Sequence, residues 1–373
     1  MSLPKLYGHD KKQGVKVWYV TTDGGSITVY YGKDGGTIST QTTVCEPKNV
    51  GRANESTAEQ QATAEAQSKW NKQVKRGYVQ DKNNITTNTL PPLAKKYQDA
   101  GHQLSWPLDV LPKLNGVRCT AYIKDGDIVF QSRGGDPFPY LEHLVEELNS
   151  CFFSSNPRYY VDFELYCHGM YLEDIISAVK KHNANTPKLE AWIFDLYDPA
   201  KPDQIWGDRY ATYVDQLYQS GVKEAPKMVF GVGATCFGNE GDMIAHHDKL
   251  VALGYEGVVL RPTNGLFKFS QRSTDFQKYK VAMSEEFKVV DILVDKNGGG
   301  IPVCEVMTNA GMQEFKATFA ATHERRKELF ENKEDYKGLW LTVDFESYSK
   351  YGKPAKPIGK SFRGMDSEGN VTE

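Results

Sequence analysis

The sequence predicts an α+β chain, and three observations carry that expectation. Strand-like and helix-like patterns alternate irregularly along the 373 residues, with too many separated strands for a helix bundle. Tight-turn signals, Asp23-Gly24-Gly25 and Asp34-Gly35-Gly36, separate alternating apolar runs near the start. Neither a Gly-x-Gly-x-x-Gly fingerprint nor a Walker lysine loop occurs, so the two commonest nucleotide-binding frames are not indicated. Hydrophobic residues make up 39% and charged residues 25%, values of a soluble globular protein long enough for two or three domains.

Bulk features narrow the classes further. No run of eighteen apolar residues exists, so no membrane span is expected, and Met1-Ser2-Leu3-Pro4-Lys5 lacks the apolar core of a signal peptide. The cysteines at 45, 119, 151, 167, 236 and 304 show no Cys-x-x-Cys or zinc spacing. They read as reduced thiols of a cytosolic protein. A net charge of -3 argues against an indiscriminate nucleic-acid coat, yet 45 Lys and Arg leave room for a local basic face.

In chain order, Val15–Val20, Ile27–Tyr31 and Thr37–Val44 alternate as strands do. A long helix follows, with Ser56 and Glu59 at capping-box spacing, Ala62, Ala66, Trp70 and Val74 along one side, and Gly77 as the terminating residue. Residues 81–92 are polar, aperiodic and end in Pro91-Pro92, which predicts a linker. Between 93 and 283, helical spacing appears over Tyr140–Leu148, Leu172–Val179, Arg209–Leu217 and Asp242–Leu253. Strand patterns appear over Tyr159–Tyr166, Leu189–Tyr197 and Gly257–Arg261. From 284 to 373 the pattern changes to short strands, Phe287–Leu293, Val303–Met307, Glu314–Ala317 and Leu341–Phe345. They are interrupted by a helix at Thr322–Asn332 and a turn at Gly298-Gly299-Gly300. About five strands with one helix suit an OB-type barrel.

The most informative stretch is Asp109 to Arg118. Lys113 stands between an apolar run ending in Pro112 and an Asn115-Gly116 turn, which predicts a hairpin with a lysine at its mouth. Such a lysine is either an ordinary surface residue or a nucleophile whose ammonium is discharged by desolvation, cations or a metal. Further charged residues recur in strand-like settings: Arg133 in Ser132-Arg133-Gly134-Gly135, and Asp162 and Glu164 on one strand face. Phe194-Asp195 lies inside an apolar strand, and Glu256 opens the run that Arg261 closes. Arg272 precedes Lys278-Tyr279-Lys280, whose lysines share a strand face. Each has a structural alternative: a turn cap for Arg133, pairing of Glu164 or Glu256 with Arg261, core packing for Phe194, a solvated face for the lysines.

Taken together, Lys113-Leu114-Asn115-Gly116, Ser132-Arg133-Gly134-Gly135, Asp162-Phe163-Glu164, Phe194-Asp195, Glu256-Gly257-Val258-Val259 and Lys278-Tyr279-Lys280 fall in a family order. In this the chain resembles the covalent nucleotidyltransferases, in particular ATP-dependent DNA ligases of the small bacteriophage type, over roughly residues 90 to 366. Two departures stand out. Asn115 replaces the usual Asp, and Phe362-Arg363-Gly364-Met365-Asp366 lacks the lysine that normally closes the last motif. Separately, Tyr31-Gly32-Lys33 and Lys75-Arg76-Gly77-Tyr78 resemble the WGR domain of DNA-break-binding proteins, with Tyr for Trp and Lys for Arg.

The resemblance implies three units: a WGR-like module over 1–80, a nucleotidyltransferase core of ATP-grasp-like antiparallel sheets and helices over 93–283, and an OB-fold over 284–373. It implies an enzyme that seals nicks between 5′-phosphate and 3′-hydroxyl in duplex DNA, serving replication, repair and recombination, with ATP and Mg²⁺ as cofactors. Lys113 would be the nucleophile that carries AMP. Leu111 would contact the base edge, Phe194 stack on adenine and Glu164 accept from the ribose or hold metal. Glu256 would contact Mg²⁺, Lys278 and Lys280 would meet developing charge, and Arg118, Arg133 and Arg272 would hold phosphates of nucleotide and DNA. Lys33, Arg76 and Arg363 would add DNA contacts, though the basic face of the first module equally suits a solvated helix. A monomer without membrane attachment, in the cytoplasm (the host's, for a phage protein), is expected. An RNA ligase, a capping guanylyltransferase and a binding-only protein with an inactive core are the competing readings.

Overall fold

The computed structural model describes residues 1–9, 14–85, 90–218, 226–295 and 297–364. At the N-terminus, β1 (Leu6–His9), β2 (Val15–Asp23), β3 (Ser26–Lys33) and β4 (Ile38–Val44) form an antiparallel meander in that order. Gly24 and Gly35 adopt φ of 52° and 74°, as the tight returns into β3 and β4 require. Helix α1 (Ala58–Lys75) lies on this sheet, and its small residues Ala62 and Ala66 let it approach Leu6, Trp18, Val20 and Ile27 closely. Its capping box is formed one residue later than the spacing of Ser56 and Glu59 suggested. Thr57 accepts from the Gln60 backbone and the Gln60 side chain accepts from Thr57 N–H. Glutamine at this position reciprocates as well as glutamate, which hid the true register.

The middle of the chain contains β5 (Leu93–Lys96), α2 (Tyr97–Ala100), β6 (Leu108–Lys113), β7 (Val117–Lys124), β8 (Asp127–Ser132), α3 (Val145–Leu148), β9 (Tyr160–Tyr166) and α4 (Leu172–Lys180). There follow β10 (Glu190–Tyr197), α5 (Trp206–Tyr218), β11 (Val229–Gly231), β12 (Thr235–Phe237), α6 (Glu240–Ala252), β13 (Gly257–Arg261) and β14 (Arg272–Tyr279). They make two five-stranded sheets, ordered β11-β10-β9-β7-β8 and β12-β6-β13-β14-β5. Each sheet is antiparallel except for one parallel pair, β10 with β11 and β14 with β5, a departure from the wholly antiparallel expectation. The single helix expected over 140–148 is instead a 3₁₀ turn, the short α3 and a π turn through Phe153. That path buries Leu141, Leu144 and Leu148 together with the consecutive Cys151, Phe152 and Phe153 on a common core, and three successive residues would not share one face of a straight α-helix.

The last unit holds β15 (Met283–Val294), β16 (Gly300–Thr308), β17 (Gly311–Lys316), β18 (Thr318–Phe319), α7 (His323–Glu331), α8 (Lys333–Tyr336), β19 (Trp340–Phe345) and β20 (Ile358–Phe362). Its sheet runs β17-β16-β15-β19-β20-β18. The long β15 serves two neighbours, pairing β19 through its first half and β16 through its second. Phe287, Val289, Leu341 and Phe345 fill the interior against Leu329 of α7. Among the described residues, no helix is long and apolar enough to cross a membrane.

Candidate active site

Lys113 stands where the chain changes sheets. It is the last residue of β6, and β7 begins only after Leu114-Asn115-Gly116, in the other sheet. The expected hairpin is therefore not formed. β6 pairs with β13, placing Lys113 opposite Gly257, while β7 pairs with β9, placing Arg118 opposite Glu164. The Asn-Gly signal reads a sharp turn correctly, but the apolar runs on either side each find a partner elsewhere. Gly116 is needed for close approach. A Cβ there would lie 2.3 Å from the Leu165 carbonyl oxygen and 2.8 Å from Glu164 Cγ.

Between the sheets opens a cavity of about 600 Å³. Leu111 and Lys113 reach it from β6, Arg118 from β7, Arg133 from the turn after β8, Glu164 from β9 and Phe194 from β10. Arg272 and Lys278 reach it from β14, Glu256 from just before β13, and Lys280 from just beyond the end of β14 rather than on it. Ten residues scattered over 170 positions of sequence thus meet in one cleft. Lys33 and Arg76 belong to the N-terminal unit and do not line it. Arg363 also lies off the cleft, paired with Glu286, and Met365 and Asp366 of its motif fall outside the described residues.

The electrostatics centre on Glu256. One of its oxygens accepts from Lys113 and the other from Lys280 at 3.0 Å. Burial pushes this carboxyl up, but the two ammonium groups outweigh it and hold it below the usual range. Lys278 is pushed down, by burial first and then by the neighbouring Lys113 and Lys280 charges. Glu164 behaves oppositely to Glu256. Burial, with Asp162 and Glu256 adding repulsion, lifts its carboxyl to about 7 against the opposing pull of Lys113 and Arg118. Arg118 grips both oxygens of the buried Asp162 and donates to the Pro92 carbonyl, so most of its donors are already committed. Its guanidinium also lies 5.2 Å from the Phe194 ring centre.

Phe194 is presented by a bulge. The pairing of β10 with β9 slips between Ile193 and Asp195, leaving Phe194 as the extra residue. A bulge re-aims side chains, and here it sends Phe194 into the cleft while Asp195 goes to a buried cation cluster. Asp195 accepts from Arg209 Nε at 2.8 Å and from Arg261, whose guanidinium lies 4.3 Å and 4.4 Å from the ring centres of Trp206 and Phe276. Arg261 thus pairs with Asp195 and not with Glu164 or Glu256. Sequence reasoning left Arg209 unassigned; the available signal was an aspartate inside an apolar strand, which demands a buried cation. Also unforeseen are Glu346 and Lys356 of the C-terminal unit, which complete the cleft wall.

Comparison with known proteins agrees with this geometry. Residues 91–280, more than half of the chain, match the family model described as ATP dependent DNA ligase domain. The chain is 28% identical over 353 residues to a DNA ligase of African swine fever virus (isolate Warthog/Namibia/Wart80/1980), covering 87% of this chain and 80% of the viral protein. In fold it is similar to a solved structure named Pmar-Lig_Pre, with a TM-score of 0.66, 17% identity and coverage of 76% and 69% of the two chains. A Lig E DNA ligase structure aligns with a TM-score of 0.57, 21% identity and coverage of 74% and 100%. With the family model spanning both sheets of the cleft, this chain belongs to the ATP-dependent DNA ligases.

Proposed function

We propose that this ligase seals nicks in duplex DNA through a covalent AMP on Lys113. The observation that carries the reading is the position of Lys113. Its ammonium sits at the seam of two sheets, inside a cleft whose other cations converge on the same space. In the first step Nζ, having given up a proton, bonds to the α-phosphorus of ATP as pyrophosphate leaves. Glu256, already hydrogen-bonded to Nζ, is the nearest acceptor for that proton. In the second, an oxygen of the nick's 5′-phosphate takes the AMP and the P–N bond breaks, returning the lysine. In the third, the 3′-hydroxyl bonds to the 5′-phosphorus and AMP departs.

The remaining roles follow from chemistry at the observed places. Phe194 stacks on the base and the Leu111 backbone meets its edge. Lys278 and Lys280 face the charge that grows on the α-phosphate, while the less committed Arg133 and Arg272 hold phosphate oxygens. Magnesium fits this cleft through Glu164. That residue supplies hard oxygen donors, and its raised carboxyl marks a site that a cation would relieve. Glu256, bound by two lysines, is a poorer ligand than the sequence suggested. When bound, the ion would neutralise phosphate charge. The C-terminal sheet is read as an OB-type domain from 284, and residues 1–80 as a WGR-like clamp on duplex DNA, joined by the linker 81–92. The enzyme is read as a monomer.

The test is incubation of the full chain with α-³²P-labelled ATP and Mg²⁺, denaturing electrophoresis, then addition of nicked duplex. Label that moves from protein to DNA and is released on sealing is the expected result. Lys113→Ala should take no label, and covalent AMP on that variant would exclude Lys113 as the nucleophile.

A further inference from the structure

We infer that the run from Leu90 to Ala94 positions the phosphate-holding arginines Arg118, Arg133 and Arg272, and that the N-terminal unit braces it. That unit then acts on the sealing chemistry as well as on the hold on DNA. The inference rests on the lysyl-AMP reading above. A guanidinium serves phosphate through a fixed fork of donors, so its effect depends on where its plane is held. A displacement of about 1 Å at a reacting centre can cost about 100-fold in rate.

All three arginines meet this run. Arg118 donates from β7 to the Pro92 carbonyl, and Arg272 Nη1 donates from β14 to the Ala94 carbonyl at 3.1 Å. Arg133 is reached through its turn. Gly135, two residues on, lies so near that a Cβ there would be 3.3 Å from Leu90 Cδ2. The Leu90 carbonyl accepts from Ser270 N–H at 2.8 Å, and Leu93 N–H donates to Gln271 at 2.8 Å, which fixes the entry into β14 just before Arg272. Ser270 adopts φ of 55°, uncommon for a residue with a side chain, and the bond to Leu90 falls on that residue. Leu90, Pro92 and Ala94, alternate along the chain, thus offer acceptors to both sheets. Pro91 and Pro92 are buried. Proline fixes its own backbone, restricts the residue before it and carries no N–H that burial would leave unpaired. The pair therefore makes a rigid buried strut.

The brace comes from α1. The carbonyl oxygen of Lys75, in its last turn, would lie 3.6 Å from the same added Cβ on Gly135, and Lys75 Nζ pairs with Asp136, the next residue of the turn. Gly135, at φ of 86°, is thus the meeting point of the helix end, the strut and the turn that carries Arg133. Within that turn the Ser132 hydroxyl accepts from Gly134 and Asp136 N–H at 3.1 and 3.0 Å, and Ser132 N–H donates to the Asp136 carbonyl at 2.7 Å. These bonds hold the turn as one piece, so a shift at Asp136 is carried to Arg133. Leu93, Ala94, Ser132 and Asp136 line the cleft, which makes strut and turn part of its wall. A clamp tethered only by its linker would touch none of these residues.

The experiment measures single-turnover sealing of a nick that already carries a 5′-adenylate, across DNA concentrations, with the full-length protein. Lys75→Glu should lower the maximal rate at saturating DNA about two- to fivefold, and so should Asp136→Lys. Combining the two restores the pair with its charges exchanged and should recover most of the loss. Both side chains are largely exposed, so the exchange leaves each core intact. Pro91→Gly with Pro92→Gly keeps every carbonyl but loosens the strut, and should lower the maximal rate about 10–100-fold. Melting curves check that each variant is folded, and if the glycine pair is not, the exchange series decides alone. Maximal rates equal to wild type, with only the DNA concentration for half-saturation changed, would show a simple clamp and overturn the inference. Losses at Lys75 and Asp136 that the combined exchange does not recover would overturn it too. A wild-type chain that takes no label from ATP would instead remove the lysyl-AMP reading, and this inference with it.

Discussion

Two glutamates that line the cleft with Lys113 differ in ways composition does not show. Glu256 is tied to two lysines, whereas Glu164 is a half-buried carboxyl that desolvation lifts to about 7. Against its ordinary value of 4.5, Glu164 holds a proton in the folded chain that the unfolded chain releases between those two limits. Folding is therefore opposed progressively as pH rises from about 4.5 to about 7. Glu164→Gln, which removes the charge, should raise the thermal midpoint of the nucleotide-free protein at pH 8, by about 1–2 kcal/mol in stability, and leave it nearly unchanged at pH 4. A variant no more stable than wild type at pH 8 would mean the carboxylate is better solvated than its burial suggests. The same substitution should weaken magnesium-dependent labelling, because it removes an anionic oxygen donor.

At the scale of elements, the cleft depends on backbone contact as much as on side chains. Gly116 lets the crossing from β6 pass under β9, and Gly116→Ala must push Leu165 and Glu164 aside. A cost of about 1–3 kcal/mol in chemical unfolding is expected, with labelling slowed because Lys113 and Glu164 shift together. Wild-type stability in that variant would show that the crossing has slack. The same elements show how far sequence carries. The sequence pattern marks β3, β9, β10 and β13 within a residue or two, and β2 within three, because each presents apolar residues to a core. It passes over β18, only two residues long, and β20, which carries Gly, Lys and Ser, and the existence of both is decided by partners. The cleft residues were legible as a set because their order along the chain is distinctive. Their pairing was not, since the Asn115-Gly116 turn reads locally as a hairpin and only the distant β13 and β9 make it a crossing. Glu346 and Lys356 lie in no recognisable pattern, and only the fold of the C-terminal unit brings them to the site.

The whole molecule is joined by charge at its borders. Lys75, in the last turn of α1, pairs with Asp136 beside the loop that carries Arg133, so the N-terminal unit abuts the rim of the cleft. Both groups are largely exposed, and the pair itself contributes little to stability. Its effect is in placement: the end of α1 is held beside the turn that carries Arg133. Removal of residues 1–80 should weaken binding to a nicked duplex and flatten its dependence on salt, since each lost phosphate contact removes about 0.9 from the logarithmic slope. Fluorescence anisotropy at several salt concentrations measures both. Identical affinity and slope in the shortened chain would assign the module another task.

Placing Lys113, the proposed nucleophile, on a crossing between sheets also bears on when the protein can first act. Glu256 lies 143 positions beyond Lys113, and Lys280, which shares its carboxylate, comes later still. A ribosome adding about 5–20 residues per second needs roughly 7–29 seconds to cover the first gap. Throughout that interval the lysine has been made, yet the sheet that must hold it still lacks β13 and β14. On the lysyl-AMP proposal, a nascent chain is expected to be inert toward nucleotide, with consumption of ATP beginning only once both halves of the cleft have been synthesised.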